Sequence, residues 1–111
     1  MTKAVFYRKN ERIVRVECKG HTGYAEEGQD IVCAAVSAVM QSTALGVLKV
    51  AGVNAKYEVD ERQARLALRL PENMSEKQGN DAELLLQTCL LSVQDIAADY
   101  KQFVVVEVRD L

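Results

Sequence analysis

Residues 12–18, RIVRVEC, alternate in character: Val14, Val16 and Cys18 fall on one side, Arg15 and Glu17 on the other. A period of two belongs to a strand with one buried face. The run before it, AVFYR at 4–8, is rich in strand formers, and Asn10-Glu11 makes a tight polar break, so the two runs predict a hairpin. A second hairpin follows from Ala55, Tyr57 and Val59 set against Lys56, Glu58 and Asp60, and from Leu66, Leu68 and Leu70 set against Arg65 and Arg69. Its turn is placed at Asp60-Glu61-Arg62. Between the hairpins lies an apolar run, 31–51, whose length and alanines favour a helix, with Asp30 as N-cap and Gly52 as stop. Residues 71–80 read as a loop. Asn80 and Glu83 then resemble a capping box for a helix that buries Leu85, Cys89, Val93 and Ile96 and ends near Tyr100. A strand, FVVVEV, closes the chain.

The order is β-β-α-β-β-α-β in a single domain, 1–111. The alternation predicts an α+β fold of two layers: a mixed, mainly antiparallel five-stranded sheet with one wet face and two helices on the other. The first helix carries few charges before Lys49. A helix apolar on most of its circumference needs cover on several sides, and a second protein chain is one source of that cover.

Composition narrows the function. Of 111 residues 49% are hydrophobic and 27% charged, with a net charge of -2. This balance argues against direct nucleic-acid binding, which needs clustered Lys and Arg. The N-terminus has no apolar stretch of signal-peptide length, and no run approaches ~18 consecutive apolar residues. The expectation is therefore a cytoplasmic protein without membrane attachment. Three cysteines without CxxC spacing support neither a disulfide framework nor a zinc ribbon.

The chemistry is concentrated in GHTGYAEEGQDIVCAAVS, residues 20–37, which holds the one histidine and three of the six glycines. With Asp30 as N-cap, Cys33 is the third helical residue, where unbonded N–H groups and the helix dipole favour a thiolate and can also hold an oxyanion. The competing reading is a small buried apolar side chain. Cys18, on an apolar strand face, and Cys89, among leucines in mid-helix, have only that second reading. His21 follows the strand ending near Cys18, twelve residues before Cys33. It is either a solvated loop residue or a base that takes the thiol proton and returns it to a leaving amine. Gly20, Gly23 and Gly28 either supply turns or let the loop open for a peptide. Tyr24 either contacts an apolar substrate side chain or pins the loop. Asp30 caps the helix or orients His21. Ser37, one turn beyond Cys33, bonds within the site or packs the helix. One histidine and one thiol fall short of a metal site, and no cofactor is implied.

The whole run resembles the signature of the ribosomal-processing cysteine protease family, Prp. Gly20, His21, Gly23, Tyr24, Ala25, Gly28 and Asp30 through Ser37 all match it, with Thr22 where a small residue is usual. The resemblance implies a cytoplasmic cysteine endopeptidase with a dyad of Cys33 and His21. It also implies a homodimer whose substrate is the apolar N-terminal extension of large-subunit ribosomal protein twenty-seven. Two other classes remain open on the residues alone: a non-catalytic ribosome-associated peptide-binding module, and a thiol redox sensor.

Overall fold

The computed structural model describes residues 1–20 and 29–111, with the backbone alone at Gln29 and Asp30. Strands β1 (Thr2–Lys9), β2 (Arg12–Lys19), β3 (Lys56–Asp60), β4 (Arg65–Arg69) and β5 (Val104–Asp110) form one sheet in the order β3-β4-β2-β1-β5. Every pairing is antiparallel except β1 with β5. Helices α1 (Gln29–Leu45) and α2 (Glu76–Asp99) complete the predicted order.

The first hairpin turns through Asn10 and Glu11, at φ 54° and 66°. Two successive left-handed residues give the turn that matches the right-handed twist of paired strands. Its register is not uniform. Tyr7 faces Arg15 and Arg8 faces Ile13, leaving Val14 as the extra residue of a bulge. This corrects the expected alternation. Ile13 enters the core at 1% exposure while Val14 is half-buried, and beyond the bulge Val16 and Cys18 face inward as expected.

The inward face of the sheet presents Ala4, Phe6, Ile13, Val16, Cys18, Leu66, Leu68 and Val104. Val32, Val36, Met40 and Ala44, at steps of four on α1, pack on it together with Ala82, Leu86, Cys89 and Val93 of α2. The stretch Ile31–Val50 is long and apolar enough to cross a membrane by length and composition, but this buried stripe ties it to the sheet. The last turn loosens: Gly46–Val50 is wound as a π-helix, closed by the Ala51 N–H on the Gly46 carbonyl at 2.8 Å. The helices meet closely there, since a Cβ on Gly46 would stand 3.2 Å from the Leu85 side chain. Gly52, at φ 67°, ends the segment as its sequence suggests.

The start of α2 also differs from expectation. Its N-cap is Ser75, in a reciprocal capping box with Gln78, so residues 76–80 belong to the helix and not to a loop. Asn80 and Glu83 look outward to the first hairpin: Asn80 Oδ1 accepts from Arg12 Nη2 at 2.7 Å, and Glu83 Oε1 from the Ile13 N–H at 3.2 Å. The far face of the sheet is polar. Lys3 and Arg109 pair with Glu107, Arg15 and Arg65 with Glu17, and Arg15 lies 5.1 Å from the centre of the Tyr7 ring.

Candidate active site

The inward positions of β1 and β2 run in register from Phe6–Val16 to Ala4–Cys18. Continued one step, the same ladder brings Thr2 beside Gly20, and a Cβ on Gly20 would stand 3.5 Å from Thr2 Oγ1. The start of α1 descends on this end of the sheet. Cys33 Sγ, partly buried, lies 2.8 Å from Thr2 Oγ1. Thr2 itself is 2% exposed, and its backbone N–H donates to the Phe103 carbonyl at 2.7 Å, which ties the start of β1 to the residue before β5.

A cleft of about 210 Å³ opens beside the sulfur. Cys33, Ser37 and Gln41, at successive steps of four on α1, line one wall. Val59, Asp60, Glu61 and Ala64, from the end of β3 and the turn after it, line the other, and Cys18 and Leu66 form the floor. That turn is built by Asp60, whose Oδ1 accepts from the N–H groups of Arg62 and Gln63 at 3.0 and 3.3 Å. It places Ala64 at φ 49°, a left-handed conformation that costs a residue with a Cβ of order 1 kcal/mol. The Ala64 carbonyl then accepts the Gly20 N–H at 2.8 Å. Gly20, which directly precedes His21, is thereby tied to the second hairpin.

The three thiols separate by environment. Burial is the main cause that pushes the Cys18 thiol up to about 12, with the proximity of Cys33 and Cys89 adding to it. Burial also raises Cys89, against a smaller opposing effect of the Thr43 hydroxyl. Both are core thiols, as their apolar settings imply. Cys33 alone of the three is not fully buried and opens onto a cleft.

The structure brings Gly20, Cys33 and Ser37 together around that cleft. His21, Gly23, Tyr24 and Gly28 lie outside the described residues. Asp30 is corrected as a cap: α1 runs from Gln29, so Asp30 is its second residue and Cys33 its fifth. The unbonded N–H groups of a helix are its first four, so the Cys33 N–H is within the ladder. The dipole, which fades beyond the first turn, acts on the thiol less than it would at the third position. Sequence reasoning missed Thr2, Gln41 and the Asp60–Ala64 turn. Thr2 had a legible signal: a hydroxyl at an inward position of a strand whose hairpin register ends next to Gly20. Gln41 continues the Cys33–Ser37 spacing. The turn had no such signal, because its approach to Gly20 depends on β4 pairing with β2.

A larger cleft, about 690 Å³, lies at the opposite end of the sheet near Arg12 and Pro71. Among the described residues its lining holds no cysteine or serine, so nucleophilic chemistry points to the smaller one.

A family model described as cysteine protease Prp matches residues 1–105. The chain is 31% identical over 102 residues, 91% of each chain, to the ribosomal processing cysteine protease Prp of Bacillus subtilis strain 168. It is 28% identical over 91 residues, 82% of each, to the protein of the same name from Staphylococcus aureus. In fold it matches the crystal structure of SMU.848 from Streptococcus mutans with a TM-score of 0.88 at 28% identity, over all of this chain and 96% of that one. It also matches S. aureus Prp, crystallised with a substrate peptide, with a TM-score of 0.86 at 24% identity over 98% of this chain and 100% of that one, a likeness of fold.

Proposed function

The chain belongs to the cysteine protease Prp family of ribosomal-processing peptidases, and on that footing we propose that it removes the short N-terminal extension of large-subunit ribosomal protein twenty-seven, with Cys33 as nucleophile and His21 as base. The single observation that carries the reading is the placement of Cys33. It is the one thiol of three that escapes full burial, and it borders a cleft between α1 and the β3–β4 turn. In this reaction His21 takes the Cys33 proton and the sulfur adds to the scissile carbonyl. The tetrahedral oxyanion collapses to a thioester as the amine leaves with the proton from His21. Water, deprotonated by His21, then releases the acid and restores the thiol.

The cleft suits an extended apolar peptide. Val59, 54% exposed, offers apolar surface on one wall, and the small Ser37 leaves room on the other. Gly20, Gly23, Tyr24, Gly28 and Asp30 are the supporting residues of this reading. The enzyme acts in the cytoplasm as a homodimer. For the dimer the support is the outward side of the helices, where Ile31 and Leu45 of α1 and Leu84 and Leu91 of α2 are 56–72% exposed, an amount of open apolar surface that favours association.

The test is incubation with the ribosomal protein bearing its extension, read by mass, for wild type and Cys33→Ala. Loss of one defined N-terminal fragment with wild type, and none with the variant, is expected. Equal cleavage by the variant overturns the assignment, and binding without cleavage by wild type favours the peptide-binding module.

A further inference from the structure

Thr2 is the one residue outside the 20–37 stretch that touches the reactive sulfur by a hydrogen bond among the described residues, at 2.8 Å. Its side chain is almost wholly buried, at 2% exposure. Burying a hydroxyl is unfavourable unless it finds a partner. Valine would fill the same space at an inward strand position without that cost. The partner that offsets it is Cys33 Sγ, since no other side-chain hydrogen bond of Thr2 is seen among the described residues. The bond therefore repays its burial through the thiol.

We propose that Thr2 holds Cys33 in position and stabilises its thiolate by donating the hydroxyl proton to Sγ. The inference rests on the reading of Cys33 as nucleophile. With the thiol protonated, either atom can donate. Once the sulfur has lost its proton, the hydroxyl is the donor, and the bond becomes charge-assisted and roughly twice as strong. The preference for the charged form comes from that difference. Thr2 keeps its own proton throughout, and the proton of Cys33 goes to the base. The bond weakens when the sulfur becomes a thioester and re-forms when the thiolate leaves, so the same contact assists deacylation. It also supplies what the helix start does not, because Cys33 is the fifth residue of α1 and lies beyond the first turn. Among the described residues, the other titratable or charged groups bordering the cleft are Cys18 on β2, Asp60 and Glu61 beside the turn, and Arg65 on β4; the proposed base is His21. Each is unchanged by substitution at Thr2.

The test is the pH profile of Cys33 alkylation by iodoacetamide, mapped by mass, in wild type, Thr2→Val and Thr2→Ser. In Thr2→Val the midpoint moves up by about one pH unit, which is tenfold less thiolate at neutral pH. A more basic thiolate is intrinsically more reactive, so the plateau at high pH rises about threefold and the neutral rate falls by about three- to fourfold. Thr2→Ser stays within about twofold of wild type, because it keeps the hydroxyl. A Thr2→Val profile that superimposes on wild type overturns the proposal, as does a Thr2→Ser profile displaced as far as that of Thr2→Val. Thermal unfolding confirms that each variant is folded, and Thr2→Ala makes the same comparison if valine is not accommodated. Alkylation needs no peptide substrate. Cleavage by Cys33→Ala is the separate result that would remove the nucleophile reading itself.

Discussion

Raising the pH is expected to destabilise this protein through Cys18. The side chain is 4% exposed, and burial above all, with Cys33 and Cys89 nearby, moves its thiol from 9.0 to about 12. Between those values the folded chain keeps a proton that the unfolded chain releases. Stability falls with rising pH wherever the folded state binds more protons. The contribution is thus whole below pH 9 and is lost as the pH climbs through 12. At about 1.36 kcal/mol for each tenfold change, the three decades amount to about 4 kcal/mol, of which about 3 kcal/mol is gone by pH 11. A domain of this kind has ~5–15 kcal/mol in total, so the loss is a large share. Urea unfolding of wild type and Cys18→Ala at pH 8 and pH 11 measures it. The variant starts less stable by about 1–2 kcal/mol, having lost a buried sulfur, but loses about 3 kcal/mol less between the two pH values. Tyrosines and lysines titrate in both proteins and cancel. Parallel losses in the two proteins would refute the argument.

The same burial sets reactivity. Burial holds the Cys18 thiol near 12 and raises that of Cys89, while Cys33 is only partly buried, so brief limiting alkylation at about pH 7.5 should label Cys33 and leave Cys18 and Cys89 intact in the folded protein; labelling of Cys18 first would contradict this. Ser75→Ala should cost about 1 kcal/mol by thermal unfolding, since it removes the helix cap, while Asn80→Ala, on an exposed position, should stay within about 0.5 kcal/mol. Ala64→Gly should leave stability unchanged or raise it by up to ~1 kcal/mol by relieving the left-handed strain; a loss of more than that would show that the Ala64 side chain has a packing role.

Much of the fold was legible because period-two alternation survives in the strands and the two-residue break at Asn10-Glu11 fixes a hairpin. The bulge at Val14 was not, because Ile13 and Val14 are both apolar and either could face inward. The start of α2 was misread because Gly79 and the polar run around it resemble a loop. Ser75 and Gln78 form the working cap, and Asn80 is engaged by Arg12 across the chain. In the site, Cys33, Ser37 and Gly20 were named from one contiguous stretch and do meet at one cleft. Thr2 and the Asp60–Ala64 turn arrive there through strand pairings of β1 with β2 and β2 with β4, which pairwise spacing along the chain does not reveal.

The central claim is that one thiol and one histidine cut the peptide together. Single-turnover cleavage of an extension peptide, with binding measured in parallel, tests it most directly. His21→Ala should cut ~100-fold or more slowly while binding within a few-fold of wild type. Cys33→Ala should bind without cutting, and the double variant should be scarcely slower than the worse single one, because members of one catalytic unit are not additive. A near wild-type cleavage rate in His21→Ala would contradict the dyad.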